Sequence, residues 1–154
     1  MRSVLALTAA LALRPVPVLA QSLEGAWKPV EVVITGGANP GRHTSDVQPG
    51  LIIFTKRHYS EVLVVAFSPR PALSSNPTDE ERGRVFRPLN AEAGMYEMKD
   101  STLTFTPFVA KNPAAMTGTP YSLRARVHGD SLWVNTRSPD GGVATWKWVR
   151  AEDQ

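Results

Sequence analysis

The chain has 154 residues, enough for one domain of ordinary size, and its 42% hydrophobic and 20% charged residues exclude both a disordered chain and a bundle of membrane helices. The formal net charge of +3 includes Arg2 and Arg14; without the first twenty residues, 15 Lys and Arg face 14 Asp and Glu, and a net charge of +1 gives no ground for nucleic-acid binding. With no cysteine, the chain has no disulfide, thiolate metal site or Cys nucleophile.

Residues 1–20 read as a removable signal peptide. Met1 and Arg2 form a short positive start, Val4 to Leu13 an apolar run, and Pro15-Val16-Pro17 precedes Val18-Leu19-Ala20, with small residues where a signal peptidase cuts. The apolar run is about ten residues, whereas a bilayer span needs about 20. Cleavage near Ala20 would leave residues 21–154 as an exported chain, periplasmic or secreted, with no transmembrane segment.

Strands follow in order. Trp27 to Thr35 holds Val30, Val32, Val33 and Ile34 and ends at Gly36-Gly37. Leu51 to Thr55 comes after Pro49-Gly50, and His58 to Phe67 after a polar turn at Lys56-Arg57. Such β-branched and aromatic runs between turn residues favour strands. Thr78 then predicts a helix cap, with Glu81 as its capping-box partner; Val85, Phe86, Leu89 and Ala93 recur at helical spacing up to a stop at Gly94, with Pro88 as a kink. Beyond it lie Gly94 to Met98, Thr102 to Phe108, Tyr121 to Val127, Leu132 to Thr136 and Val143 to Arg150, separated by Lys99-Asp100-Ser101, Gly129-Asp130 and Pro139-Asp140-Gly141-Gly142 turns. Residues 36–48, 68–77 and 110–120 read as long loops.

Eight antiparallel strands with mostly tight hairpins and one helix inserted mid-chain predict an all-β, eight-stranded up-and-down antiparallel β-barrel, since closure removes the sheet edges. A β-sandwich is the alternative.

Gly25-Ala26-Trp27 at the start of the first strand and Arg150 at the end of the last resemble the lipocalins and the wider calycin superfamily. Gln48-Pro49-Gly50-Leu51-Ile52-Ile53-Phe54-Thr55, then Tyr59-Ser60, and finally Trp146-Lys147-Trp148-Val149-Arg150 are similar to the small bacterial lipocalin-like domain proteins. The resemblance implies that Gly25, Trp27 and Arg150 close one end of the barrel, with the guanidinium packed across the indole. It implies an interior able to hold a small apolar molecule, and no catalytic residue.

Trp146 and Trp148 share parity, and Lys147 between them prefers water, so the tryptophans are expected to face inward. Parity nominates Tyr59, Phe105, Trp133, Trp146 and Trp148 as ligand-contacting residues. Arg124 and Arg126 share a face opposite Leu123, Ala125 and Val127; they lie either on the solvated outside or inside as a clamp for a carboxylate. Glu31, Glu61 and Glu97 lie in strands with nothing in the sequence to pair them. No two of His43, His58 and His128 stand at helical ligand spacing, so no metal or cofactor is expected.

The function these readings support is non-catalytic binding of a small hydrophobic or amphipathic molecule. One alternative is a filled barrel acting as an envelope-associated protein-interaction module. The other is an enzyme with a polar cluster at the barrel mouth, for example Glu31, Tyr59 and Arg126. The oligomeric state is open.

Overall fold

A computed structural model describes residues 22–138 and 140–151. The leader assigned to residues 1–20 lies outside the described residues. In chain order the strands are β1 (Gly25–Thr35), β2 (Gly41–His43), β3 (Gly50–Phe54), β4 (His58–Val64), β5 (Leu89–Lys99), β6 (Thr102–Ala110), β7 (Tyr121–His128), β8 (Ser131–Arg137) and β9 (Val143–Arg150). Helix α1 (Asp79–Phe86) lies between β4 and β5.

Every pairing is antiparallel, and from β3 onward each strand pairs with the next. The sheet closes where β1 meets β9, from Trp27↔Arg150 to Thr35↔Val143. This closure makes an eight-stranded barrel of β1 and β3–β9, with β2 as an extra strand, and excludes the sandwich. β1 reaches β3 only through Gly25–Trp27; farther along, Val32, Val33 and Ile34 pair with β2. A register shift between Pro29 and Glu31 bends β1, at a residue that has no N–H to give to a ladder.

The connections sort by end. The β3–β4, β5–β6 and β7–β8 turns are short and lie at the end where β1 begins and β9 finishes. The longer β1–β3, β4–β5 and β6–β7 connections lie at the other end with the β8–β9 turn. Alternate residues of each strand face inward, where Trp27, Val32, Ile52, Phe54, Leu63, Leu103, Phe105 and Leu132 are buried.

Two expectations need correction. First, residues 36–48 are not all loop. Gly41-Arg42-His43 forms β2, which lacks β-branched residues and is specified by the free edge of β1 rather than by its own propensity. Second, α1 ends at Phe86, and Leu89 to Ala93, assigned to the helix, belong to β5. The Thr78–Glu81 capping box does form. Pro88 ends the helix, and its carbonyl accepts from Val65 N–H at 2.7 Å as β5 starts to pair with β4. The helical spacing of Leu89 and Ala93 misleads because Asn90 and Glu92 face the barrel interior, the reverse of the usual strand alternation. Gly94 is therefore not a helix stop. It sits at a bulge opposite Pro107, where an added Cβ would lie 2.1 Å from Thr106 O and 2.7 Å from Pro107 Cα.

Candidate functional site: the barrel interior

The closed end is built on Trp27, which is fully buried. Its indole N–H donates to Leu23 O at 2.8 Å, which folds the entering chain under the barrel. The Arg150 guanidinium lies over the Trp27 ring, 4.5 Å from its centroid, and donates to Glu24 O at 2.7 Å and Ser22 O at 3.0 Å. The same guanidinium approaches Asp130 of the β7–β8 turn at 3.3 Å. One side chain thus ties the start of the chain, the last strand and a hairpin turn. Gly25 opens β1 at φ 118°, a backbone conformation that side-chain-bearing residues rarely adopt.

Above this plug lies a cavity of about 300 Å³ whose walls are mostly apolar. Leu103, Phe105, Leu132, Trp146 and Trp148 contribute to it, and Val65, Asn90 and Thr136 carry it towards the end with the long loops. The two tryptophans lie 6.3 Å apart, centroid to centroid, at a tilt of 36°. Trp146 donates to Thr136 Oγ1 at 3.3 Å, whereas the Trp148 N–H is buried without an acceptor among the described residues.

One wall is polar. Glu61 faces inward because it shares parity with Tyr59 and Leu63, and the β4–β5 register sets it opposite Glu92. Asn90 Nδ2 donates to Glu61 Oε1 at 2.9 Å. Tyr59 OH donates to Glu92 Oε1 at 2.9 Å, and Tyr121 OH donates to the same oxygen. Burial raises the Glu61 carboxyl to a pKa of about 7; the Asn90 hydrogen bond opposes the shift and the charge on Glu92 adds to it. Both phenols are pushed above the ordinary tyrosine value, first by burial and then by the Glu92 carboxylate.

Of the five residues nominated for ligand contact, the structure brings Phe105, Trp146 and Trp148 together around the cavity. Tyr59 is buried and points inward, but it is spent on the Glu92 hydrogen bond rather than on the cavity lining. Trp133 requires correction. The β8–β9 register puts Leu132 opposite Trp148 and Val134 opposite Trp146, so Trp133 shares the outer face with Lys147. There Arg126 lies 4.2 Å and Lys147 5.8 Å from its ring centroid. Arg124 and Arg126 are exposed on the outside, so they form no internal carboxylate clamp. Glu31 and Arg126 do not join Tyr59 on a cavity wall, since Glu31 pairs outside with Arg42.

The sequence reading missed Glu61, Asn90, Glu92 and Tyr121 as a group. A signal existed for Glu61, which holds an inward parity position between Tyr59 and Leu63, and polar residues at such positions commonly mark a site.

No family model matches the chain, and no curated protein is significantly similar to it. Among solved structures, an uncharacterized protein from Bacteroides eggerthii aligns at a TM-score of 0.43 and 12% identity, over 82% of this chain and 98% of that one.

Proposed function

We propose that the chain is an exported, lipocalin-like barrel that binds a small hydrophobic or amphipathic molecule in its interior and catalyses no reaction. The observation that carries this reading is the internal cavity of about 300 Å³ with largely apolar walls. Ligand sites of this kind start near roughly 300 Å³, and a small molecule buried there gains affinity from apolar area and selectivity from a few polar groups. The order of Gly25-x-Trp27, Tyr59-Ser60 and Arg150 along the chain supports the lipocalin-like assignment, and the composition of residues 1–20 supports export. Residues 21–154 would then form the mature barrel domain.

A second reading, an interaction module, rests on the outer wall. Leu51, Ile53 and Val62 are exposed there on β3 and β4, and Phe108 and Val109 on β6. Native mass spectrometry of the protein from its exported fraction separates the two. A mass excess of a few hundred daltons that disappears on denaturation is the expected result for the carrier. A bare-chain mass that stays unchanged after incubation with apolar probes counts against it, and a multiple of the chain mass favours the outer wall.

A further inference from the structure

The cavity wall contains an acid and no base. Among the described residues that line it, Glu61 is the only carboxyl and none is Lys, Arg or His. No cationic group among the described residues forms a salt bridge with Glu61 or Glu92. The two carboxyls are satisfied unequally. Glu92 accepts from two phenols, whereas Glu61 accepts only from the Asn90 side-chain amide, which keeps its own carbonyl oxygen as an acceptor. Both phenols take Glu92 Oε1, and Glu92 is not among the residues that line the cavity, so Glu61 with Asn90 forms the acceptor end that faces it. Trp146, Trp148, Phe105 and Tyr121 line the same space, and the faces of aromatic rings attract cations. Arg124 and Arg126 lie on the outer face, and Lys111, which shares grooves with Asn90 and with Glu61, donates its ammonium to the Phe86, Arg87 and Leu89 carbonyls.

Building on the carrier reading above, we infer that the cavity selects amphiphiles with a protonated amine at the polar end, the ammonium donating to Glu61 and Asn90 and the apolar body lying against Trp146 and Trp148. A carboxylate head would set like charges side by side in a poorly solvated space. A hydroxyl head would donate one hydrogen bond to the carboxylate without the attraction between opposite charges that an ammonium adds. The volume equals that of roughly ten water molecules, which suits a short chain rather than a long lipid.

The test is calorimetric titration of the wild-type protein and Glu61→Gln with n-octylamine, octan-1-ol and octanoate at about pH 8, where the amine carries its proton. Octylamine is expected to bind about tenfold more tightly than octanol, and octanoate more weakly than either. Glu61→Gln should reduce octylamine to the octanol level, while octanol, whose hydroxyl the Gln amide oxygen can still accept, should continue to bind the variant. That last result also shows that the variant is folded and its cavity intact. Octanoate binding as well as octylamine, or an amine preference that survives Glu61→Gln, would overturn the head-group assignment while leaving the carrier standing. Failure of all three chains to bind the wild type would remove the carrier and this inference together.

Discussion

Glu61 and Asp140 are carboxyls held in opposite ways, one raised by burial and the other lowered by hydrogen bonds. The Glu61 pKa is raised from 4.5 to about 7, chiefly by burial. The groups facing it are Glu92 and Asn90 from β5, with Tyr59 and Tyr121 behind Glu92. The folded state therefore binds a proton more tightly than the unfolded chain does. Its contribution is most favourable below the unfolded value and is lost as pH rises through about 4.5 to 7, by about 3 kcal/mol in all. Asp140 runs the other way. Hydrogen bonds from Ser138, then from the N–H groups of Ala38 and Gly142, lower its pKa to about 2. What it contributes is present above the ordinary Asp value and disappears in strong acid. Chemical denaturation between pH 5 and 8 should show wild-type stability falling with pH and Glu61→Gln nearly flat. Parallel pH profiles for the two proteins would show that Glu61 does not titrate in this range.

At the scale of elements, α1 and β5 show local preference giving way to pairing. α1 has an acidic first turn and a complete capping box, yet buries no residue, and Phe86 is half exposed. Its far end is held by Lys111, whose ammonium donates to Phe86 O at 2.6 Å, Arg87 O at 2.8 Å and Leu89 O at 2.7 Å. A cation on the last carbonyls satisfies groups that no helix can satisfy internally. The helix is thus attached by its two ends rather than by a packed face. Lys111→Met should speed amide exchange at Arg82 and Arg87, which donate to Thr78 O and Gly83 O, while moving the global unfolding midpoint little. A large drop in global stability would instead make α1 part of the cooperative core.

For the whole molecule, closure depends on residues far apart in the chain. Trp27 and Arg150 are register partners across the β1–β9 seam, and their side chains stack at the closed end. Removing the indole leaves a void under the cavity and takes away the ring on which the guanidinium rests. Trp27→Ala is expected to cost about 3 to 5 kcal/mol, read as a shift in the denaturant midpoint. An unchanged midpoint would mean that the seam closes without its plug.

Much of the architecture is local information. Every strand of the barrel except the first half of β5 was visible in the sequence, and Lys99-Asp100-Ser101 and Gly129-Asp130 marked their turns, because side-chain shape and positive-φ tolerance act over a few residues. The inward parity of Trp146 and Trp148 followed from Lys147 between them. Tertiary structure decided the rest. Strand pairing turned Leu89 to Ala93 from apparent helix into β5, and the edge of β1 drew Gly41–His43 into β2. Register placed Trp133 outside with Arg126 and set Glu61 beside Glu92 and Asn90. Parity names the face of a residue, but its neighbours come from other strands, and only the paired, closed sheet brings them together.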